Sequence, residues 1–140
     1  IQDVFGNVDD SVIQASHALA GGSARSTEGT CGGLVGGILA IGATFGRRRD
    51  EFGESTSEGP PRSAVLAKEL QDRFEAEYGS IICRDVQEEL FGRSYDLWDD
   101  AEYEAFNDAG AHEDKCPAVT GTAARITADI LLDAGVEPTR

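Results

Sequence analysis

At 140 residues the chain is long enough to bury one hydrophobic core without disulfide staples, which predicts a single domain over residues 1–140. Its 26 acidic residues outweigh 12 basic ones to leave a formal net charge of −14, a field that repels phosphate backbones and excludes nucleic acid as a partner. Only two of the basic residues, Lys68 and Lys115, are lysines; this balance suits a salt-rich cytosol and points to a halophilic source, with a high-GC bacterium as the plainer explanation.

Asp9 or Asp10 caps a first helix predicted from about Ser11 to Ala20, with Val12, Ala15, Leu19 and Ile13 on its inner face and Gly21 and Gly22 as its stop. A small, polar linker leads from Gly21 to Gly29. A second helix follows from about Thr30 to Arg48, apolar until Arg47, Arg48 and Arg49, whose charges suit a helix C-terminus. The segment from Asp50 to Pro61, rich in Ser, Glu, Gly and Pro, reads as a loop. Pro61 opens a third helix to about Tyr78, with Val65, Leu66, Leu70 and Phe74 at core spacing and Gly79 as the stop. Ser80 caps a fourth through Phe91, ended by Gly92, with Ile82, Val86, Leu90 and Phe91 inward.

The acidic and aromatic stretch from Ser94 to Asp114 predicts a short helix from about Asp99 to Asp108, on the surface or over a pocket mouth. Pro117 opens the last helix, which runs to about Ala134 with Val119, Ala123, Ile126, Ile130 and Leu131 inward and Gly135 beyond its end. No β alternation is present. The expected fold is all-α: a compact bundle of four to six helices around a central glycine-rich helix. The start of the chain shows no basic stretch leading into an apolar core, so a cytoplasmic location is expected.

The central helix carries five glycines between Thr30 and Phe45. Each costs a solvated helix about 1 kcal/mol relative to Ala, so close packing must offset the loss. Gly32 and Gly36, Gly33 and Gly37, and Gly42 and Gly46 are each four apart, which predicts shallow grooves where a neighbour approaches backbone to backbone. The same grooves suit a homodimer. A membrane span is the competing reading, but the apolar run is a few residues short of one and the rest reads as a bundle.

Cys31, Cys83 and Cys116 each fall at the first turn of a predicted helix. There the unpaired N–H groups and the positive end of the dipole favour thiolate, the form that attacks disulfides and binds metals. An odd number of cysteines leaves at least one thiol free, metal-bound or paired with another molecule, and isolated cysteines also serve as small buried hydrophobes. The long linkers permit the second, fourth and last helices to begin at one end of the bundle. Their first turns would then converge, as a dithiol couple requires. If all three sulfurs gather, His112 or His17 completes a tetrahedral Cys₃His set suited to zinc, or the thiolates hold an iron–sulfur cluster. No C-x-x-C half-site is present. The acidic clusters, Glu88 with Glu89 and Asp99 to Glu104, read as solvated faces, and the glycine run lacks the G-K-[ST] of a phosphate loop.

Cys31-Gly32-Gly33-Leu34-Val35-Gly36 resembles the C-G-A-x-x-G element of the C_GCAxxG_C_C family, with Gly33 where Ala is usual. The resemblance extends to the Gln14-Ala15 pair in the first helix, the Phe74 to Cys83 stretch and Cys116 at the opening of the last helix. Members of that family typically carry four cysteines, and Val12 stands at the position of the first. The resemblance implies thiol redox activity on Cys31, Cys83 and Cys116. Three functions are weighed: an oxidoreductase in which Cys31 and Cys83 or Cys116 cycle between dithiol and disulfide, or one forms a mixed disulfide with a partner protein or small thiol; a zinc- or iron–sulfur-binding subunit of a larger redox complex; and a packing or docking subunit with inert thiols.

Overall fold

A computed structural model describes residues 1–52 and 59–140. The described residues form seven α-helices: α1 (Gln2–Phe5), α2 (Asp10–Ser16), α3 (Gly32–Phe45), α4 (Arg62–Tyr78), α5 (Cys83–Phe91), α6 (Asp100–Asp108) and α7 (Cys116–Asp133). The fold is all-α, as expected. The seventh helix in the count is α1, a single turn too short to leave a periodic pattern. No helix among the described residues is long and apolar enough to cross a membrane.

Capping explains several helix boundaries. Asp9 accepts from the Ser11 amide at 2.8 Å to start α2, and Asp99 accepts from the Glu102 amide at 2.9 Å to start α6. Gly79 and Gly92 end α4 and α5 in the left-handed conformation at φ 73° and 75°. Ser80 is not itself the cap, because α5 starts later than predicted: Ile82 precedes the helix, and the Ser80 hydroxyl, two residues before it, accepts from the Ile82 amide and donates to Asp85.

Three expectations are corrected, and a fourth lies largely outside the described residues. The first helix stops at Ser16, continues only as a tight turn from His17 to Leu19, and buries none of its residues. Its supposed inner face therefore lies at the margin of the core, with Ala15 and Ile13 exposed. The central helix ends at Phe45 because Gly46 is extended, so the three arginines lie beyond the helix and not in its last turn. Val65 is half exposed, while Leu70 and Phe74 on the same helix are fully buried. The loop predicted from Asp50 to Pro61 falls largely on residues 53–58, outside the described residues, and Asp50 and Glu51 belong to a short 3₁₀ turn.

The main core joins Leu34 and Ile41 of α3 to Leu70 and Phe74 of α4, Val86 of α5, and Val119, Ala123, Ile126, Ile130 and Leu131 of α7. The central helix lies against α7 and α4, and its glycines divide by face. A Cβ on Gly33 would sit 3.2 Å from the Thr120 Cα, and one on Gly37 would sit 2.7 Å from Leu70 Cδ2 and against the Thr127 hydroxyl. Gly36 and Gly42 face open space. Only the Gly33 and Gly37 pair thus forms a tight groove inside the fold. A second cluster, Tyr95, Leu97, Phe106 and Ala111, packs apart from the first, with ring centroids of Tyr95 and Phe106 5.4 Å apart.

Candidate functional site

Between the main core and the aromatic cluster lies a cavity of about 500 Å³, within the range of small-molecule sites. Cys31, Cys83 and Cys116 all line it, as do His17 and His112. Residues separated by long stretches of sequence therefore share one wall, because α3, α5 and α7 all begin there.

Three local contacts bring the helix starts together. Thr30 and Ile82 form an isolated antiparallel bridge, in which the Cys31 amide donates to the Ile81 carbonyl at 2.8 Å and the Cys83 amide donates to the Gly29 carbonyl at 2.9 Å. The backbone thus ties the first two cysteines to each other's segments. Close approach of Gly33 to Thr120 sets the start of α3 against the first turns of α7, one turn beyond Cys116. A π-helical turn from Ala111 to Lys115 precedes Cys116 and carries His112, whose ring stands edge-on to Phe106 at 5.6 Å between centroids.

Placement at helix starts predicts thiolates, but burial outweighs it. The Cys83 thiol is pushed up to about 12 and the Cys116 thiol to about 11, each mainly by desolvation and then by the charge of Cys31. Cys31 is also raised by burial, but the Gly33 and Leu34 amides oppose the shift. Those amides lie near its sulfur without making a full cap hydrogen bond. Cys31 is therefore the sulfur on which the start of a helix acts, and the one whose charge both others feel. All three are free thiols.

Cys31, Cys83, Cys116 and His112 share a cavity wall, yet among the described residues no group of three or more His, Cys, Asp or Glu side chains is arranged to hold a metal ion. Val12, the position of the absent first cysteine, lines a neighbouring cavity that shares Ser16 and Gly36 with this one.

Two further residues have no place in the sequence-based expectation. Gln87 is 2% exposed; its amide nitrogen donates to Cys83 Sγ at 3.7 Å and its oxygen accepts from the Tyr95 amide at 3.0 Å. A polar side chain four residues after Cys83 on the inner face of α5 is the available signal. Arg25 reaches the cavity from the linker whose sequence marks it only as small and polar. Its guanidinium carbon lies 4.3 Å from the Tyr103 ring centroid, and one of its nitrogens donates to the Leu97 carbonyl at 2.8 Å.

The linker itself is a left-handed turn. Gly21 and Gly22 are followed by Ser23, Ala24 and Arg25 at φ 67°, 49° and 58°, and Thr27 is also positive at 62°. Non-glycine residues in this region cost on the order of 1–2 kcal/mol each. Hydrogen bonds hold them there, from the Ala24 amide to the Ala18 carbonyl and from the Trp98 indole to the Ala24 carbonyl, both 2.8 Å. Gly22 is required where the turn presses on α5, since a Cβ there would meet that of Cys83 at 2.8 Å.

Residues 1–130 match the family described as "Putative redox-active protein (C_GCAxxG_C_C)", and the chain belongs to that family. No curated protein and no solved structure matches it.

Proposed function

We propose that this member of the C_GCAxxG_C_C family is a thiol oxidoreductase that exchanges disulfides inside the cavity, with Cys31 as the attacking sulfur and Cys83 or Cys116 as the resolving one. The observation that carries the reading is that three cysteines from three separate helix starts wall a single cavity. The redox description of the family supports it. In the first step the Cys31 thiol loses its proton, and its sulfur attacks one sulfur of a bound disulfide. The S–S bond of the substrate breaks, a mixed disulfide forms on Cys31, and the leaving thiolate takes up a proton. In the second step Cys83 or Cys116 attacks the Cys31 sulfur, releasing the second thiol. Two protein thiols are oxidised to one disulfide while the substrate disulfide is reduced to two thiols.

Buried thiols need help to ionise, and the two imidazoles on the cavity wall, His17 and His112, are the candidate proton acceptors. Cysteine-to-serine variants test the assignment by mass spectrometry after treatment with an aromatic disulfide. The wild-type protein should yield an internal disulfide and two released thiols. Cys31→Ser should yield neither, and loss of the resolving cysteine should trap a mixed disulfide on Cys31. An unchanged yield in Cys31→Ser would sink the reading.

A further inference from the structure

The cavity walled by the three thiols differs in charge from the rest of the molecule. None of the chain's 26 Asp and Glu is among the 22 described residues that line it. Arg25 is the one Lys or Arg there. Its guanidinium stacks on Tyr103, spends one donor on the Leu97 carbonyl and pairs with no carboxylate among the described residues, whereas Arg73, Arg84 and Arg93 each pair with an acid. A guanidinium packed on an aromatic face, with donors left over, is suited to binding a carboxylate through two hydrogen bonds. The chain holds it there with three consecutive left-handed residues after a glycine pair, Arg25 itself being one of them. Apolar side chains, including Val86, Leu90, Leu97, Phe106 and Val119, make up much of the remaining wall.

From this arrangement we infer that the substrate is a small carboxylate-bearing disulfide, whose acid group is held by Arg25 and whose apolar body fills the cavity beside Cys31. The inference rests on the thiol-exchange reading above and adds the chemical class of the oxidant. The electron balance is unchanged: the small disulfide accepts two electrons and is released as two anionic thiols. Opposed charge at the cavity selects an anionic substrate against the field of a chain of net charge −14. A protein partner of ordinary bulk would have to expose its disulfide inside a cavity of about 500 Å³.

Three disulfide probes separate this from its alternatives: dithiobis(nitrobenzoate), which is anionic, dithiodipyridine, which is neutral, and cystamine, which is cationic. Each rate with the folded protein is divided by the rate of the same probe with the urea-unfolded chain, which removes intrinsic reactivity. The normalised anionic rate should exceed the neutral one by about tenfold or more and the cationic one by a larger factor, the size expected for a charge-assisted contact. In Arg25→Gln the anionic-to-neutral ratio should fall to one or below, and Arg25→Lys should recover part of it. Circular dichroism establishes that both variants keep their helix content. A wild-type ratio at or below one, or a ratio that survives in Arg25→Gln, overturns the anionic assignment while the neutral probe still reports the dithiol chemistry. Equal loss of all three rates in a folded Arg25→Gln makes Arg25 a structural residue and likewise overturns it. Failure of every probe on the wild-type fold, with the unfolded chain reactive, overturns both readings.

Discussion

The cysteines behave as buried acids before they behave as helix-start nucleophiles, and this fixes their pH response. Free thiols ionise near 9.0, whereas Cys83 and Cys116 are pushed up to about 12 and about 11 by burial and by the charge of Cys31. At neutral pH all three are protonated, so alkylation should accelerate by about tenfold per pH unit through the neutral range, with no plateau below the ordinary thiol value. A low-pKa thiolate would instead plateau early, and a plateau below about pH 8 in the rate of iodoacetamide labelling would contradict the burial argument. Stability follows with the opposite sign from a salt-bridged carboxylate. Below the unfolded value both states hold the proton and nothing changes; above it the unfolded chain releases protons that the folded chain retains, so folding free energy is lost as pH rises from 9.0 through about 11 and 12. Urea midpoints measured across that range should fall, and should fall less in Cys83→Ser.

At the level of elements, the glycine-rich helix makes opposite predictions for two of its own residues. Gly42→Ala adds a methyl group into open space and replaces a poor helix former, so it should stabilise the protein by about 1 kcal/mol. Gly37→Ala gains the same propensity but drives its Cβ against the Thr127 hydroxyl and to 2.7 Å from Leu70, both fully buried, and overpacking costs roughly 1–3 kcal/mol. Its net effect should be destabilising, and denaturant midpoints of the two variants should move in opposite directions. Spacing four apart identifies all three glycine pairs, but sequence cannot tell which pair meets a neighbour, since that depends on where α4 and α7 cross. The same limit separates Leu70 and Phe74, buried as expected, from Val65, which the register also allows inward but the helix leaves half exposed. The cap at Asp9 and the stops at Gly79 and Gly92 are legible because each acts on its own backbone neighbours. The Cys31 and Cys83 juxtaposition is legible only as one possible arrangement, because the Thr30 and Ile82 bridge joins distant segments, and Arg25 is invisible because no periodic signal marks a left-handed turn of Ser, Ala and Arg.

For the whole molecule, charge is the property that solvent tunes most strongly. A net charge of −14 on 140 residues opposes the compact state by self-repulsion, and raising NaCl from about 0.01 M to about 1 M shortens the Debye length from about 30 Å to about 3 Å. The same salt also weakens ion pairs. Those present, such as Lys68 with Asp72, Arg48 with Asp50 and Arg84 with Glu28, have largely exposed side chains and contribute little each. Relief of repulsion therefore outweighs the loss of pairing, and the Tm should rise with NaCl and approach a plateau once the Debye length is shorter than the spacing of surface charges. A chain balanced in sign would show a flat or falling Tm instead. The cavity's preference should respond in the opposite sense, because salt screens the contact of an anion with Arg25, on a wall that has no Asp or Glu among the described residues. Thermal melts and anionic-probe rates measured over one salt series should thus move apart, the Tm upward and the probe preference downward; parallel movement would mean that the bulk charge, and not the cavity, governs entry.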